Sequence, residues 1–254
     1  MPVALADIVA ELDRLLEPGR FSDYCPNGLQ VPGRAEVGSV ATAVSGQLEL
    51  FERAAAQGAD LLVVHHGIFW DSQQRAIDAA AKRRLQVLFE AEMSLVAYHL
   101  PLDAHPTVGN NALLARALGA ETLEPFAAHK GQTIGFIAGL GADGTPAPAL
   151  FAQTAQVTGR EPLVFDYGPP DVQRVAIVSG AGADYLGEAI AAGADAFLTG
   201  EPAERVMAQA RESGIHFIAA GHYATETFGV RALGEHLGAS FGVSHTFIDI
   251  PNPI

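Results

Sequence analysis

Four apolar residues followed by two adjacent histidines and a glycine form the segment that most constrains how this chain folds. Residues 61–64 (Leu-Leu-Val-Val) follow a Gly-Ala-Asp turn and lead into His65, His66 and Gly67. An apolar run of this length predicts a strand that is buried on both faces of a parallel sheet. Neighbouring side chains of a strand alternate between its faces, so we expect the two histidines to point apart. Because open α/β sheets bind ligands beyond the carboxyl ends of their strands, we interpret this pair as one corner of a metal site.

The rest of the chain alternates apolar runs with helical patterns, as is typical of an α/β fold. The predicted helices cover residues 3–17, 47–57, 75–92, 110–118, 147–158, 184–192, 202–213 and 225–237. The further predicted strands cover residues 39–44, 94–98, 133–138, 162–166, 173–178, 195–199, 215–219 and 243–250. Residues 21–34 are rich in turn-forming residues, and residues 139–148 are the best candidate for a loop or linker.

The chain also contains a weak internal repeat. A strand, a Ser-Gly turn, an alanine-rich helix and a Gly-Ala-Asp turn end at Asp60, and the same order ends at Asp195. The next strands lead to His99 and His222. Gly-Ala-Asp turns are common in α/β proteins, so shared local architecture is one explanation, but two matched units in the same order favour a duplication. We therefore predict two duplicated α/β halves, residues 1–125 and 126–254, that send strand ends toward one place.

Composition excludes several classes of protein. The 254 residues carry a net charge of −14, which would repel a nucleic acid or an anionic membrane, so we expect neither as a partner. The only cysteine, Cys25, excludes an intrachain disulfide and a cysteine-based zinc site, and it favours a reducing, cytoplasmic setting. The longest apolar runs fall short of the roughly 20 residues that span a bilayer.

Three predicted strand ends carry histidine alone or histidine with a carboxylate. Imidazole and carboxylate groups bind borderline divalent metals such as zinc, iron, manganese, cobalt or nickel. Each residue alone has a more ordinary explanation, such as a hydrogen-bonded histidine, a helix-start glutamate or a turn aspartate. Together, at the carboxyl ends of strands, they favour a metal site. The three groups are His65 with His66, His99 with Asp103, and His222 with Glu226.

Six motifs, which span the chain from about Leu5 to its C-terminus, make the sequence similar to a known family. They are His-His-Gly-Ile-Phe-Trp at 65–70, Tyr-His-Leu-Pro-Leu-Asp-Ala-His-Pro at 98–106, Gly-Asn-Asn-Ala at 109–112, Asp-Ala-Phe-Leu-Thr-Gly-Glu at 195–201, Gly-His-Tyr-Ala-Thr-Glu at 221–226 and Phe-Ile-Asp-Ile-Pro-Asn-Pro at 247–253. In order and spacing they resemble the Nif-three-like dinuclear metal-centre proteins, a family that carries the name GTP cyclohydrolase 1 type 2. The chain resembles its short form, which lacks an inserted middle domain.

The resemblance implies a site of two divalent metal ions (iron, zinc, manganese, cobalt or nickel) between two intertwined α/β halves with mixed sheets. The implied metal ligands are His65, His66, Asp103, His222 and Glu226. Five side chains are few for two ions, so a carboxylate and a hydroxide that bridge ions about 3.5–4 Å apart would complete their coordination. The resemblance places His99 beside the site, where it could shuttle a proton, and it implies a toroidal homohexamer.

The resemblance implies a hydrolase that opens the imidazole ring of GTP through a metal-bridging hydroxide, so a small nucleotide is the expected substrate. Two alternatives remain open at this stage. The same ligands could hold exchangeable metal in a protein that delivers metal without catalysis, or they could serve a metal-dependent phosphoesterase. Metal identity and the physiological substrate do not follow from the sequence.

Weaker signals have both a functional and a structural interpretation. The Ser-Gly-Ala-Gly loop at 179–182 could cradle a phosphate, but a tight turn is the favoured explanation. The basic run at 82–84 (Lys-Arg-Arg) could meet substrate phosphates, although a solvated helix face is favoured. Phe69 and Trp70 could stack on a base or only pack in a wall. Thr199 to Glu201 could line the site or merely turn the chain, and we interpret Cys25 as structural.

Overall fold

The structure is a computed structural model that describes residues 2–72 and 76–254. It confirms an α/β fold with mixed sheets. Contacts divide the chain into two compact units. Unit 1 comprises the described residues up to Leu102 together with Gly229–Ile250, and unit 2 comprises Asp103–Phe228 with Pro251–Ile254. This division differs from the predicted boundary after residue 125, because the last helix and strand of the chain belong to unit 1.

The described residues form strands β1 to β15 and helices α1 to α10. The strands are β1 Val3–Ala4, β2 Gly28–Val31, β3 Glu36–Val37, β4 Ser39–Ser45, β5 Leu61–His66, β6 Ser94–Ala97, β7 Thr122–His129, β8 Gln132–Gly139, β9 Thr145–Pro146, β10 Leu163–Phe165, β11 Asp171–Val172, β12 Arg174–Val178, β13 Ala196–Thr199, β14 His216–Ala219 and β15 Ser244–Phe247. The helices are α1 Leu5–Leu16, α2 Leu48–Ala56, α3 Ala79–Glu90, α4 Leu100–Ala104, α5 Asn110–Ala117, α6 Ala147–Thr158, α7 Leu186–Ala191, α8 Val206–Ser213, α9 His222–Thr225 and α10 Thr227–Phe241.

Unit 1 is built on a five-stranded sheet in the order β15-β4-β5-β6-β2. The first four strands are parallel, and β2 is antiparallel to β6. Residues 61–64 of β5 are completely buried, which confirms the prediction from their apolar run. Helices α2 and α3 contribute Leu50, Phe51 and Leu88 to the same core. Burial of such side chains stabilises the fold by about 1.5–3 kcal/mol each.

Unit 2 is built on a six-stranded sheet in the order β10-β14-β13-β12-β8-β7. Strands β12, β13 and β14 are parallel, while the other three strands pair in the antiparallel sense. The core includes Leu150 of α6, Ile177 of β12 and Leu198 of β13, all fully buried. The carboxyl ends of three parallel strands therefore meet at one edge of this sheet.

Matching hydrogen bonds in the two sheets support a duplication. Asp60 Oδ2 accepts the N–H groups of the first residue of β4 and of the residue before it, at 3.0 and 2.8 Å. Asp195 Oδ2 does the same at the start of β12, at 2.9 Å for both bonds. Each aspartate lies two residues after a glycine with positive φ, Gly58 at 70° and Gly193 at 69°. The repeated Gly-Ala-Asp turn thus ends a helix and fixes the start of the neighbouring strand.

Sequence reasoning missed two edge strands. Residues 21–34 were expected to be turns, but β2 lies within them and pairs with β6 through an irregular register. The eight-residue β7 also lacks a strand-like apolar pattern, because most of its side chains are exposed or half-buried at the sheet edge. Pro125 is tolerated there because an edge strand can leave one N–H position unpaired. Edge strands bury few side chains, so they leave a weak sequence signal.

Several predicted boundaries also change. The strand expected over 243–250 is limited to β15, and the helix expected over 202–213 begins only at Val206. Residues 139–148 connect β8 to α6 within unit 2, so they do not link the two units. The expected helix over 75–92 is α3, and residue 75 lies outside the described residues. Among the helices of the described residues, none combines the length and the apolar character that a membrane span requires.

Candidate metal centre

The first candidate donors of unit 1 are the two histidines at the end of β5. His65 is fully buried and His66 is half-buried. Their ring centroids lie 4.6 Å apart, so the expectation that they point apart is wrong. The pairing of β5 with β6 ends at Val64, and on the other side His66 is still paired with Ser45 of β4. Both rings can contribute to one cluster.

The Nδ1 atom of each histidine is held by a protein group. His65 Nδ1 lies 2.9 Å from the carbonyl oxygen of Tyr98, and His66 Nδ1 lies 3.0 Å from Ser45 Oγ. A carbonyl can only accept, so neutral His65 carries its proton on Nδ1 and its lone pair on Nε2. Metal-binding histidines are oriented in this way by a protein acceptor on the other ring nitrogen.

His99 completes a group of three imidazoles in unit 1. Its ring centroid lies 5.0 Å from that of His65 and 5.6 Å from that of His66. One nitrogen from each of the three rings lies within 4.8 Å of the other two. Nitrogen donors at this spacing fit a borderline divalent ion such as zinc or iron. The structure thus brings the expected ligands His65 and His66 together and places His99 beside them, as the sequence resemblance implies for a residue next to the site.

Asp23 orients His99, and sequence reasoning missed it. His99 Nδ1 donates to Asp23 Oδ1 at 2.7 Å, and the N–H of Tyr24 donates to the same oxygen at 2.7 Å. The other oxygen, Oδ2, accepts from Asn27 Nδ2 and from the N–H of Leu100, both at 2.9 Å. The carboxylate therefore accepts four hydrogen bonds from N–H groups, and Oδ1 accepts a longer one from Cys25 Sγ at 4.0 Å. Its turn-rich sequence context gave no signal, because the partner histidine is 76 residues away.

These donors keep Asp23 ionised. Burial alone would raise the pKa of Asp23, but the hydrogen bond and charge of His99, together with the hydrogen bonds from Asn27 and the N–H of Tyr24, outweigh burial. The pKa of this carboxyl is therefore lowered from 3.8. Burial and the charges of Asp23 and Asp71 raise the pKa of nearby Cys25 to about 12. The thiol stays protonated at neutral pH, in agreement with its interpretation as a structural residue.

Unit 2 fixes Asp103 through two buried asparagines and a serine. Asp103 Oδ1 accepts from Asn110 Nδ2 at 2.9 Å and from Ser179 Oγ at 3.0 Å. Asn111 Nδ2 donates to the carbonyl oxygens of Asp103 and Ile134, and its Oδ1 accepts the N–H of Ser179 at 2.7 Å. Sequence reasoning used Gly-Asn-Asn-Ala only as a motif. Its physical role is to hold Asp103 and the loop that follows β12.

His222 and Glu226 form an ion pair in unit 2, as their spacing of four residues predicts. His222 Nε2 lies 3.1 Å from Glu226 Oε2, and Glu226 is buried. His222 Nδ1 is paired with the carboxylate of Glu201, just after β13. In the internal repeat, Glu201 corresponds to His66. Each lies two residues after a strand residue, Thr199 or Val64, whose carbonyl accepts a hydrogen bond from the residue just after the neighbouring strand. Glu201 therefore orients His222, whereas the sequence left its role open.

The two carboxylates control the protonation of His222. Burial alone would lower the pKa of His222, but the hydrogen bond and charge of Glu226, followed by those of Glu201, raise it to about 9. The metal-free side chain is therefore an imidazolium at neutral pH. A metal ion would have to displace this proton, since only the neutral ring nitrogen is a ligand. The mixed nitrogen and oxygen donors fit zinc, iron or manganese.

The Ser-Gly-Ala-Gly loop at 179–182 is a tight turn that lies against the His222–Glu226 pair. The N–H groups of Ser179, Gly180 and Gly182 each donate to a protein side chain, so they are not arranged to cradle a phosphate. Gly180 has φ of 64°, and a Cβ there would lie 2.3 Å from Glu226 Oε1 and 3.1 Å from His222 Nε2. Only glycine lets the backbone approach these side chains so closely.

Comparison with known proteins agrees with this fold. A family model described as Duf34/NIF3 (NGG1p interacting factor 3) matches residues 3–253. The chain belongs to this family. A Pseudomonas aeruginosa relative, named GTP cyclohydrolase 1 type 2 homolog, is 46% identical over 254 residues and covers 100% of both chains. An Archaeoglobus fulgidus relative of the same name is 44% identical and covers 97% of this chain and 98% of its own.

Solved structures of the family have the same fold. A structural-genomics protein of unknown function, ybgI, matches with a TM-score of 0.93 and 40% identity over 99% of this chain and 100% of its own. A protein from Thermus thermophilus matches with a TM-score of 0.92 and 39% identity at the same coverage. Reduced HcgD from Methanocaldococcus jannaschii has a TM-score of 0.86 at 22% identity, over 98% of this chain and 99% of its own, which indicates a shared fold only.

Proposed function

We propose that this Duf34/NIF3 chain is a dinuclear metal-dependent hydrolase that opens the imidazole ring of GTP. Two divalent ions would be held by His65, His66, Asp103, His222 and Glu226. When bound, such ions supply hydrolytic chemistry by lowering the pKa of water and polarising the attacked bond. The names of the curated relatives support the substrate, and each of them carries the word homolog.

The observation that carries the proposal is the anchoring of the candidate histidines. In both units a protein acceptor lies at Nδ1: the carbonyl of Tyr98 for His65 and the carboxylate of Glu201 for His222. Metal-binding histidines typically make such a contact through the ring nitrogen that does not face the metal. The anchored nitrogens in unit 1 and the His-Glu pair in unit 2 thus support metal binding by both sets of residues.

His99 is the proposed proton carrier. Because its Nδ1 donates to Asp23, Nε2 is the ring atom that can take up or release a proton. An imidazole held by a buried carboxylate suits general acid–base catalysis near neutral pH. Asp23 would fix the ring direction and stabilise the imidazolium, as a positioning residue without contact to substrate.

Turnover and metal content, measured together, test the proposal. Purified protein loaded separately with iron, zinc, manganese, cobalt or nickel is incubated with GTP, and the products are separated by chromatography. We expect GTP loss with ring-opened products, a His99→Ala variant without turnover but with unchanged metal content, and His222→Ala with reduced metal content. Metal-loaded protein that leaves GTP untouched under all five conditions would refute the proposal.

The same experiment addresses the two competing functions. A metal-delivery protein would transfer its metal to a chelating acceptor without any turnover, and His99→Ala would not affect that transfer. A phosphoesterase would release inorganic phosphate or hydrolyse simple phosphoesters and leave the imidazole ring closed. Each result differs from ring opening, so the products identify the reaction.

We also propose that the chain assembles as a homohexamer, as the family resemblance implies. Light scattering of the purified protein should then give six times the chain mass of 26.5 kDa. A mass that stays at one or two chains at micromolar concentration would contradict this assembly.

A further inference from the structure

A cavity of about 510 Å³ lies in unit 1 beside the histidine cluster. Its walls come from the loop that follows His66 and from the segment that begins α3. The volume is in the range of small-molecule sites.

The cavity walls combine aromatic surface with one positive charge. Phe69 and Trp70 supply the rings, Ile77 and Leu85 supply aliphatic surface, and Arg84 supplies the charge. Phe69 is 42% exposed and Ile77 is 67% exposed. Exposure of large apolar side chains is unfavourable unless a ligand or partner covers them, so a planar apolar group fits this wall.

Arg84 differs from its basic neighbours. It is half-buried and lines the cavity, whereas Lys82 and Arg83 are exposed and do not line it. Asp78 lies on the same wall, where its carboxylate caps α3 by accepting the N–H of Ala81 at 2.7 Å. Asp78 and Arg84 are six positions apart, or about 9 Å along a helix axis. The wall formed by α3 thus carries one carboxylate, which is engaged in capping the helix, and one guanidinium.

Trp70 connects the cavity to the histidine cluster. Its ring centroid lies 5.7 Å from that of His66 and 5.2 Å from that of His99. The same indole lines the cavity. A ring stacked on Trp70 would thus be the part of a ligand nearest to the histidines, while a group at Arg84 would lie on the wall of α3.

We propose that this cavity binds a purine nucleotide, with the base against Trp70 and Phe69 and the phosphate at Arg84. The inference rests on the proposed function and deepens it, since it presents the base to the histidine cluster. Aromatic side chains stack on bases, and a guanidinium binds phosphate through parallel hydrogen bonds. With a net charge of −14, an anionic ligand needs such a local cation. A base near the histidines suits ring opening better than phosphoester cleavage.

The single tryptophan of the chain makes the test direct. Trp70 is the only tryptophan, so the tryptophan fluorescence of the chain reports on this cavity and the adjoining histidines. Metal-free and metal-loaded protein are titrated with GMP, guanosine and inorganic phosphate, and absorption by the nucleotide is corrected with a free tryptophan analogue. We expect saturable quenching by GMP, and about tenfold weaker binding of guanosine because it lacks the charge-assisted contact.

Matched variants separate the two parts of the site. Arg84→Gln should bind GMP about tenfold more weakly and should not change guanosine binding. Arg83→Gln, with the same change of charge one residue away, should bind both ligands like the unmodified protein. Phe69→Leu should weaken the binding of GMP and the binding of guanosine to the same extent. Calorimetric titration of each variant checks the affinities independently of fluorescence.

The possible outcomes distinguish the cavity from the proposed function. GMP binding with these variant effects, but without GTP turnover, would support the cavity and refute the hydrolase. GTP turnover without saturable quenching by GMP would refute nucleotide binding in the cavity and would still support the hydrolase. Two other results would also overturn the cavity proposal: an equal loss of GMP affinity in Arg84→Gln and Arg83→Gln, or binding of inorganic phosphate as tight as that of GMP.

Discussion

Replacement of Asp23 by asparagine tests whether this carboxylate orients His99. Asp23 accepts hydrogen bonds from four N–H groups, namely those of His99 Nδ1, the Tyr24 backbone, Asn27 Nδ2 and the Leu100 backbone, and a longer one from Cys25 Sγ. Asn27 cannot turn its amide round, because its Oδ1 accepts the N–H of His99 at 2.8 Å. An asparagine at position 23 would therefore point its NH₂ group at two donors, whichever way it faces.

The expected loss of folding stability follows from the number of hydrogen-bond donors that lose their acceptor. A hydrogen bond to a charged group contributes about 1.5–3 kcal/mol, and a buried donor without an acceptor costs about 1–3 kcal/mol. Asp23→Asn should therefore lower the free energy of unfolding by about 3 kcal/mol. His99 could relieve one clash by moving its proton to Nε2. That tautomer no longer presents a base at Nε2, so turnover should fall by about 100-fold or more.

The matched control is Asp13→Asn in the same unit. Asp13 accepts one hydrogen bond, from the Tyr98 hydroxyl at 2.6 Å, and an amide oxygen can accept it equally well. This variant should lose less than about 1 kcal/mol. Urea unfolding of the two metal-free variants, followed by circular dichroism at one protein concentration, gives the comparison. Equal losses of stability in both variants would refute the assigned role of Asp23.

Acid titration gives an independent check on the charge of Asp23. Its folded pKa lies below the ordinary value of 3.8, so its contribution to stability is present above that pH. The contribution is lost as the pH falls through the folded pKa. The difference in unfolding free energy between the unmodified protein and Asp23→Asn should therefore persist near neutral pH and shrink in acid below pH 3.8. A difference that grows on acidification would contradict this reasoning.

Two further predictions concern unit 2. Gly180→Ala should sharply reduce the metal content measured by plasma mass spectrometry, because the new Cβ would lie 2.3 Å from Glu226 Oε1. The control is Gly159→Ala, which has a similar φ of 69° but no heavy atom within 4 Å of the new Cβ, and it should keep its metal. In metal-free protein, NMR titration should place the pKa of His222 at about 9, and Glu201→Gln should lower this pKa. The contribution of protonated His222 to folding stability is fully present below the unfolded pKa of 6.5 and is lost as the pH rises through about 9. Metal affinity should increase over the same pH range, because the metal competes with this proton. A His222 pKa near 6.5 would contradict the assigned carboxylate contacts.

Local patterns in the sequence predicted the central strands, the edge strands β10 and β15 and most of the helices, but not the edge strands β2 and β7. Strands β5, β13 and β14 are completely or almost completely buried, so their apolar runs were informative. Strands β2 and β7 lie at the edges of the two sheets, where alternating or exposed residues suffice. The unit boundary was also hidden, because β15 pairs with β4 about 200 residues away and only tertiary structure can show that pairing.

By itself, the sequence determined that this is an α/β chain of the Duf34/NIF3 family with histidines and carboxylates after buried strands. These features are encoded locally, since burial fixes apolar runs and strand ends expose polar groups. Tertiary structure decided which ring nitrogens are anchored, that the rings of His65 and His66 converge, and that Asp23 holds His99. Those contacts join residues far apart in the chain, so no local pattern records them. The anchoring contacts, more than the mere presence of histidines, support the metal chemistry proposed for this chain.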